Sequence, residues 1–208
     1  TTPPTISVAI NDGGDGRLNA AEVGAASIAG TTSGVADGQT VAINISSSAG
    51  GTPINTTATT TSNSYSVSNL DLSSLIDGTL SITADVSDLA GNSATQTTDT
   101  TSKDTAAPSV AISSDLFSLA AGETTRLTFS LSEPSTDFAA SDITVSGGSL
   151  TNFSGSNSFY TATFTPNAES TDNGIISVAN GTFSDFAGNT NTDGLDTDNS
   201  LILSIDTI

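Results

Sequence analysis

The chain repeats itself at the spacing of a whole domain. The segment SDLAGN at residues 87–92 returns as SDFAGN at 184–189, and TTPP at 1–4 returns as DTAAP at 104–108. Both pairs give a period of roughly 100 residues, which is longer than the repeat of a solenoid or of a propeller blade. Each copy is therefore expected to fold as a domain with its own core.

Both halves carry the residue pattern of β-sandwiches. Short runs of Val, Ile, Thr and Ser alternate between turns rich in Gly, Asn and Asp. About seven short strands per 100 residues predict an all-β fold with two tandem immunoglobulin-like β-sandwich domains, at residues 1–104 and 105–208. The short segment SKDTAAPSV joins them, so the domains are expected to lie end to end rather than on a flexible linker.

The apolar runs predict where the strands lie. In the first half strands are expected at residues 6–10, 26–30, 40–45, 65–67, 80–86 and 95–101. In the second half they are expected at residues 110–113, 126–131, 143–146, 159–164, 175–178 and 201–205. The segment LDLSSLI at 70–76 fits a single helical turn instead.

The net charge of −19 restricts the partners of the chain. The chain has 22 acidic residues and only three basic ones, Arg17, Lys103 and Arg126. Nucleic acid and anionic membrane surfaces are therefore poor partners, and no apolar stretch of about 18 residues indicates membrane insertion. The self-repulsion of such a chain is offset directly by divalent cations bound among its carboxylates.

Two missing residue types exclude several functions. The sequence has no His and no Cys. It therefore offers no histidine-based triad, no thiol nucleophile, no disulfide framework and no nitrogen or sulfur ligand for zinc. We expect the chain not to be an enzyme.

The segment NDGGDGRLNAAE, residues 11–22, is rich in oxygen ligands. A twelve-residue calcium loop has oxygen ligands at alternate early positions, Gly at position six and Glu at position twelve. With Gly16 at position six the closing Glu is present, but positions one and three lack the usual Asp, and no flanking helices are predicted. We interpret the segment as an inter-strand loop that binds calcium, with an ordinary polar turn as the alternative. Its expected ligands are Asn11, Asp12, Asp15 and Glu22.

The repeated D-x-AGN segments are a second group of candidates. Each follows one strand and precedes the last one, at the domain end that carries the amino terminus. Asp88 and Asp185 are the expected ligands, although Asp, Gly and Asn also form tight turns without an ion.

Sandwich topology predicts that acidic groups converge at the junction between the domains. The loop 11–22 should lie near Asp104, and the segment SEPSTD should bring Glu133 towards Asp185. Calcium suits such a site because it accepts six to eight oxygen ligands in loose geometry, whereas magnesium demands a stricter octahedron. Asp206 stands one repeat after Asp104 and would serve a following domain.

Two further segments leave alternatives open. The run 190–200 contains Asp193, Asp196 and Asp198, and fits either a second calcium loop or a solvated hairpin. The tyrosines, Tyr65 and Tyr160, are the aromatic residues of the kind that stacks on sugars, but both fall in strand patterns that predict burial.

The sequence resembles a known family. The stretches TISVAINDGGDGRLNAAEVGAASIAGTTSGVADGQTV and DGTLSITADVSDLAGNSATQT are similar to bacterial Ig-like repeats of giant repeats-in-toxin adhesins of Gram-negative bacteria. In the second half, AAGETTRLTFSLSEP, YTATFTP and ISVANGTFSDFAGN resemble a sister subtype.

The resemblance implies a function for the chain. It implies a non-catalytic extender segment of a large secreted, cell-surface adhesin, with calcium at or near the domain junctions. The expected partners are neighbouring Ig-like domains of the same chain, and the chain is expected to be monomeric. A carbohydrate- or protein-binding adhesion module is the alternative, and exposed aromatic side chains would favour it.

Overall fold

The chain divides into two compact units, Thr1–Ala106 and Ala107–Ile208. The computed structural model describes residues 2–194 and 196–208. Thr1, the first residue of the repeat, and Leu195, within the acidic run 190–200, lie outside the described residues. Each unit is described by itself.

The first unit is a sandwich of two β-sheets. Its strands are β1 (Thr5–Ile6), β2 (Ala9–Asn11), β3 (Arg17–Leu18), β4 (Ala26–Ser33), β5 (Thr40–Ser47), β6 (Ile54–Thr59), β7 (Ser64–Leu70), β8 (Gly78–Asp85) and β9 (Thr97–Lys103). One sheet has the order β1-β4-β2 with β7 also paired to β4, and the other has the order β3-β9-β8-β5-β6. The short β3 pairs with β9 in parallel, at Arg17↔Ser102 and Leu18↔Lys103.

Alternation along the strands builds the core of the first unit. In β5 the side chains of Val41, Ile43 and Ile45 are buried, and in β8 Leu80 and Ile82 are fully buried. The residues between them face outwards, because successive side chains of a strand point to opposite faces of the sheet. The core is aliphatic apart from Tyr65.

The second unit also has two sheets. Its strands are β10 (Val110–Ser114), β11 (Ser118–Ala120), β12 (Thr125–Ser135), β13 (Ile143–Ser146), β14 (Gly148–Pro166), β15 (Gly174–Val178) and β16 (Ser200–Asp206), with a 3-10 helix at Ala140–Asp142. The sheet orders are β10-β12-β14 and β11-β16-β15-β13. As in the first unit, a short strand, β11, pairs in parallel with the last strand, β16.

The core of the second unit is built around aromatic rings. Phe138 contacts the rings of Tyr160 and Phe183 at centroid distances of 5.0 and 5.1 Å, both edge to face. Phe129 and Phe153 complete the cluster. Edge-to-face pairs are the favoured arrangement of aromatic quadrupoles, so this cluster stabilises the unit beyond its buried area.

The predicted all-β sandwich fold is confirmed, with two kinds of local correction. The short parallel strands β3 and β11 and the Thr-rich strand β6 were not predicted. The helical turn predicted at 70–76 is wrong. Leu70 ends β7, and a turn follows in which the Leu75 N–H donates to the Leu72 carbonyl at 3.1 Å. Leu72 and Leu75 are both buried, so this apolar pair serves the sandwich core and not a helix face.

Tyr65 connects β7 to the segment between β1 and β2. Its side chain is buried, and its hydroxyl donates a hydrogen bond of 2.6 Å to the Ser7 carbonyl. Gly30 of β4 lies opposite Tyr65 in the sheet and leaves the space that the ring occupies. Burial raises the pKa of Tyr65 to about 12, because the phenolate loses its hydration there.

Alkaline solution is expected to unfold the first unit. A raised pKa means that the folded state favours the neutral phenol, so this contribution to stability is complete below the unfolded pKa of about 10 and is lost as pH rises towards 12. Absorbance titration at about 295 nm on Tyr160→Phe isolates Tyr65, since the chain has two tyrosines and no Trp. Ionisation of Tyr65 near pH 10 with no unfolding would contradict the expectation.

Candidate metal site

The loop 11–22 lies at the end of the first unit where the last strand finishes. The Asp104 N–H, just after β9, donates to the Leu18 carbonyl at 3.0 Å. The Thr101 hydroxyl donates to Asp12 Oδ2 at 3.2 Å. The structure therefore places this loop beside Asp104, where the sequence predicted it.

The side-chain oxygens of this loop cap its own backbone. Asp12 Oδ1 accepts from Gly14 N–H at 3.1 Å, and Asp15 Oδ1 accepts from Arg17 N–H at 2.9 Å. Asn11 Oδ1 lies 3.4 Å from Gly13 N in the same kind of turn. Within the part of the chain that the structure describes, the carboxylates of this loop do not form a group of three with oxygens within 4.8 Å of one another.

Glu22 has a structural counterpart that its sequence context does not reveal. Its Oε2 accepts from Asn19 N–H at 3.0 Å, three residues earlier. In the second unit Glu123 Oε2 accepts from Ala120 N–H at 2.9 Å, in the loop after β11. Since β3 and β11 occupy the same place in their sheets, this Glu closes the same turn in both units.

The two D-x-AGN loops have one structure. In the second unit Asp185 Oδ1 accepts from the N–H groups of Ala187 and Asn189 at 2.8 and 2.9 Å, and Oδ2 accepts from the Asn189 side-chain amide at 2.8 Å. In the first unit Asp88 makes the same three bonds to Ala90 and Asn92. Hydrogen bonds from the side chain and then the backbone of Asn92 lower the pKa of Asp88.

Asp185 differs from Asp88 in its surroundings. It is only 6% exposed, and its carboxylate lies with an oxygen within 4.8 Å of a carboxylate oxygen of Glu133. Glu133 lies where the pairing of β12 with β14 becomes irregular, between Ser130 and Ser135. Asp137 joins the same end of the unit, because its Oδ1 accepts from Ser184 N–H at 2.9 Å.

The Glu133 and Asp185 pair fits calcium in its chemistry. A carboxylate offers about four lone-pair positions, and Asp185 uses three of them within its loop, which leaves one on Oδ2. Calcium binds oxygen at about 2.3–2.6 Å, so one ion contacts two oxygens that lie up to about 5 Å apart. Both donors are hard oxygens, which calcium prefers.

The other predicted ligands lie at the ends of the last strands. Asp104 follows β9, is partly buried, and its Oδ1 lies 3.3 Å from Ala106 N. Asp206 is the final residue of β16 and is exposed. In the acidic run, Asp193 Oδ2 accepts from Val110 N–H at 2.6 Å, as Asp99 Oδ2 accepts from Ile10 N–H at 2.9 Å in the first unit. Asp99 thus connects β2 to β9 in the first unit, and Asp193 connects β10 to the segment that precedes β16 in the second.

Sequence reasoning missed an ion pair close to Asp104. The Lys103 ammonium is buried and lies 2.6 Å from Asp77 Oδ1. The available signal was the inward position of Lys103 in β9, two residues after the buried Thr101. A lysine on the core side of a strand requires an anionic or carbonyl partner.

The exposed aromatic residues are phenylalanines. Tyr65 and Tyr160 are buried, as predicted, at 4% and 5% exposure. Phe117, Phe159 and Phe186 are exposed and were not singled out by the sequence. Among the described residues no helix has the length and apolar character needed to cross a membrane.

Fold and loops define tandem immunoglobulin-like modules. Residues 104–202 match the family model of the bacterial Ig-like domain. The second unit is therefore a bacterial Ig-like domain, and the predicted kinship with such repeats is confirmed. A search of curated proteins gives no match.

Two solved structures are similar over this chain. A tetra-tandem repeat from the extending region of a large adhesion protein shares 22% identity, covers 98% of this chain and 49% of its own, and has a TM-score of 0.44. A Ca²⁺-stabilised adhesin that helps an Antarctic bacterium reach out and bind ice shares 21% identity, covers 100% and 50%, and has a TM-score of 0.47. The present chain spans about half the length of each.

Proposed function

We propose that this chain is a non-catalytic extender segment of a large secreted bacterial adhesin, stiffened by calcium at or near the junction between its domains. The observation that carries the proposal is the close approach of the Glu133 and Asp185 carboxylates. Two anions at this distance, one of them buried, repel each other strongly unless a cation lies between them. In a chain with a net charge of −19, calcium supplies that cation.

Asp104 is the proposed third ligand. It lies three residues before the second unit, which begins at Ala107, and the bacterial Ig-like match begins at this residue. A carboxylate at this position connects the last strand of one domain to the calcium of the next. The remaining proposed ligands are those of the loop 11–22 and those that face further domains, namely Asn11, Asp12, Asp15, Glu22, Asp88 and Asp206.

The extender role also defines the partners and the location of the segment. Its partners are neighbouring Ig-like domains of one chain at the surface of a Gram-negative bacterium, and it acts as a monomer without nucleic acid or membrane insertion. Strands of eight residues such as β5 are about 26 Å long at about 3.3 Å per residue. Many such domains in series, each linked to the next by calcium, hold a binding tip far from the cell.

Calcium is expected to raise the melting temperature of the parent chain and to reduce the spread of dimensions seen by small-angle scattering. A ligand that binds only the folded state stabilises it by mass action, by about 2.7 kcal/mol at 100 times its dissociation constant. Asp185→Asn removes one anionic ligand and is expected to lose most of both effects. Differential scanning calorimetry and scattering, each in calcium and then in chelator, measure them.

Asp88→Asn is the matched control, because Asp88 makes the same three hydrogen bonds in its own loop, while its proposed calcium is a different ion that faces a further domain and not the one at Glu133 and Asp185. Both variants weaken a D-x-AGN turn. A fall in melting temperature that both show in chelator is therefore due to the weakened turn and not to lost calcium binding. The proposal fails if Asp185→Asn responds to calcium as strongly as Asp88→Asn does.

A carbohydrate- or protein-binding module is the second candidate. The exposed rings of Phe117 and Phe159, at 61% and 55% exposure, favour it, since exposed aromatics anchor ligands. A glycan array probed with the calcium-loaded chain distinguishes the two functions. A signal that Phe117→Ala or Phe159→Ala abolishes would favour the binding module, and a uniformly silent array would favour the extender.

A further inference from the structure

We infer that Asp77 and Thr105 form a clamp that positions Asp104 for calcium. Neither residue is itself a ligand: they act by fixing the backbone on either side of Asp104. The inference rests on the proposed calcium role of Asp104 and adds the element that sets the affinity of that site.

The clamp begins at the buried Lys103. Its ammonium donates to the Leu75 carbonyl at 2.7 Å and to Asp77 Oδ1 at 2.6 Å. Both acceptors belong to the turn that precedes β8. The residue immediately before Asp104 is therefore held by a charge-assisted hydrogen bond inside the unit, the stronger class of hydrogen bond.

The second oxygen of the same carboxylate holds the residue immediately after Asp104. Asp77 Oδ2 accepts from both the N–H and the hydroxyl of Thr105, each at 2.8 Å. Asp104 itself donates its N–H to the Leu18 carbonyl at 3.0 Å. Three consecutive residues are thus fixed to two different segments, β3 and the turn before β8, and the Asp104 carboxylate projects from a rigid backbone.

The second unit repeats this arrangement with different partners. Thr207 follows Asp206 as Thr105 follows Asp104, and it is buried. Its N–H donates to the Ser170 carbonyl at 3.0 Å and its hydroxyl donates to the Asn167 carbonyl at 2.8 Å. In both units the Thr is held by the loop that precedes the neighbouring strand, β8 or β15. Both units therefore hold the Thr that follows the Asp at the end of the last strand. This anchoring is a common feature of the repeat.

A rigid backbone changes the affinity of a ligand residue. An unrestrained Asp104 would lose backbone freedom on binding calcium, whereas a clamped Asp104 has lost it on folding. Residues that orient a metal ligand without touching the metal typically contribute about 10–100-fold to affinity. Asp77 and Thr105 are positioning residues in this sense.

Thr105→Val tests the clamp, because it keeps side-chain size and the Lys103–Asp77 pair and removes only the hydroxyl bond to Asp77. Calorimetric titration of the full chain with CaCl₂ is expected to show about tenfold weaker binding at the site that Asp104→Ala abolishes. Hydrogen exchange at the Asp104 amide is expected to accelerate without calcium. Asp77→Asn is the second variant, with an equal or larger loss of affinity expected.

Thr207→Val is the matched control, since it removes the same kind of bond after Asp206. It is expected to lower the melting temperature and leave calcium affinity at the Asp104 site unchanged. Parental affinity and parental exchange in Thr105→Val would overturn the inference, as would an equal loss of affinity in Thr207→Val. Calcium binding that is the same in the parent and in Asp104→Ala would instead overturn the proposed function, and the calcium role of the clamp with it.

Discussion

Gly30→Ala is expected to destabilise the first unit by about 3 kcal/mol, the upper range for forcing extra volume into a packed interior. A Cβ at residue 30 would overlap the Ser7 carbonyl oxygen and the phenol of Tyr65. The φ of Gly30 is not left-handed, so the cost is steric and not one of backbone strain. Relief requires the Tyr65 ring to move, which breaks its hydrogen bond to Ser7.

Urea unfolding followed by tyrosine fluorescence measures this effect. Gly24→Ala is the control, because a Cβ there meets nothing within 4 Å and its φ is also not left-handed. That variant is expected to stay within about 0.5 kcal/mol of the parent. Equal urea midpoints for both variants would show that the sheet accommodates a methyl group at Gly30.

Asp77→Ala is expected to cost about 3 kcal/mol, the lower end of the range for breaking a buried ion pair. The Lys103 side chain is 3% exposed and that of Asp77 is 35% exposed, so the ammonium bears most of the desolvation cost. Removing Asp77 leaves this cation with the Leu75 carbonyl as its remaining acceptor in the turn. Burial would raise the pKa of Asp77, but hydrogen bonds from Lys103 and Thr105 and the charge of Lys103 outweigh it and lower that pKa.

A double-mutant cycle separates the lost pair from the stranded charge. Lys103→Met in the Asp77→Ala background removes the buried cation and is expected to restore more than half of the lost stability. Because the folded pKa of Asp77 is lowered, its contribution is present above the unfolded pKa of about 4 and is lost as pH falls through the folded value. If Lys103→Met instead lowers the free energy of unfolding by a further similar amount, the unpaired ammonium is not the cause of the destabilisation in Asp77→Ala.

Most strands that the sequence predicted alternate between more and less buried residues. β16, for example, alternates along its whole length, and its predicted extent of 201–205 lies within the observed Ser200–Asp206. Of the strands that were missed, β6 alternates but is rich in Thr, and β3 and β11 are too short for an alternation to be recognised. β3 and β11 are two and three residues long, and they exist because the last strand of each unit offers them an edge.

The candidate site also has parts that the sequence predicted and a part that depends on the fold. The repeat of D-x-AGN identified Asp88 and Asp185 from the sequence, and sandwich topology predicted which loops share an end with Asp104. The approach of Glu133 to Asp185 also depends on an irregularity in the pairing of β12 with β14, which the sequence does not specify.

The sequence by itself determined the class of fold, the duplication and the oxygen-only ligand chemistry, because alternation, turn residues and composition are local properties that need no partner. Only the tertiary structure decided which acids cap a turn and which approach another carboxylate. Asp88 and Asp185 stand in nearly the same local sequence, SDLAGN and SDFAGN, but Asp185 is the more buried of the two and has a carboxylate oxygen of Glu133 within 4.8 Å. The electrostatic energy of a carboxylate depends on charges brought near it by folding, and those distances are not written in its local sequence.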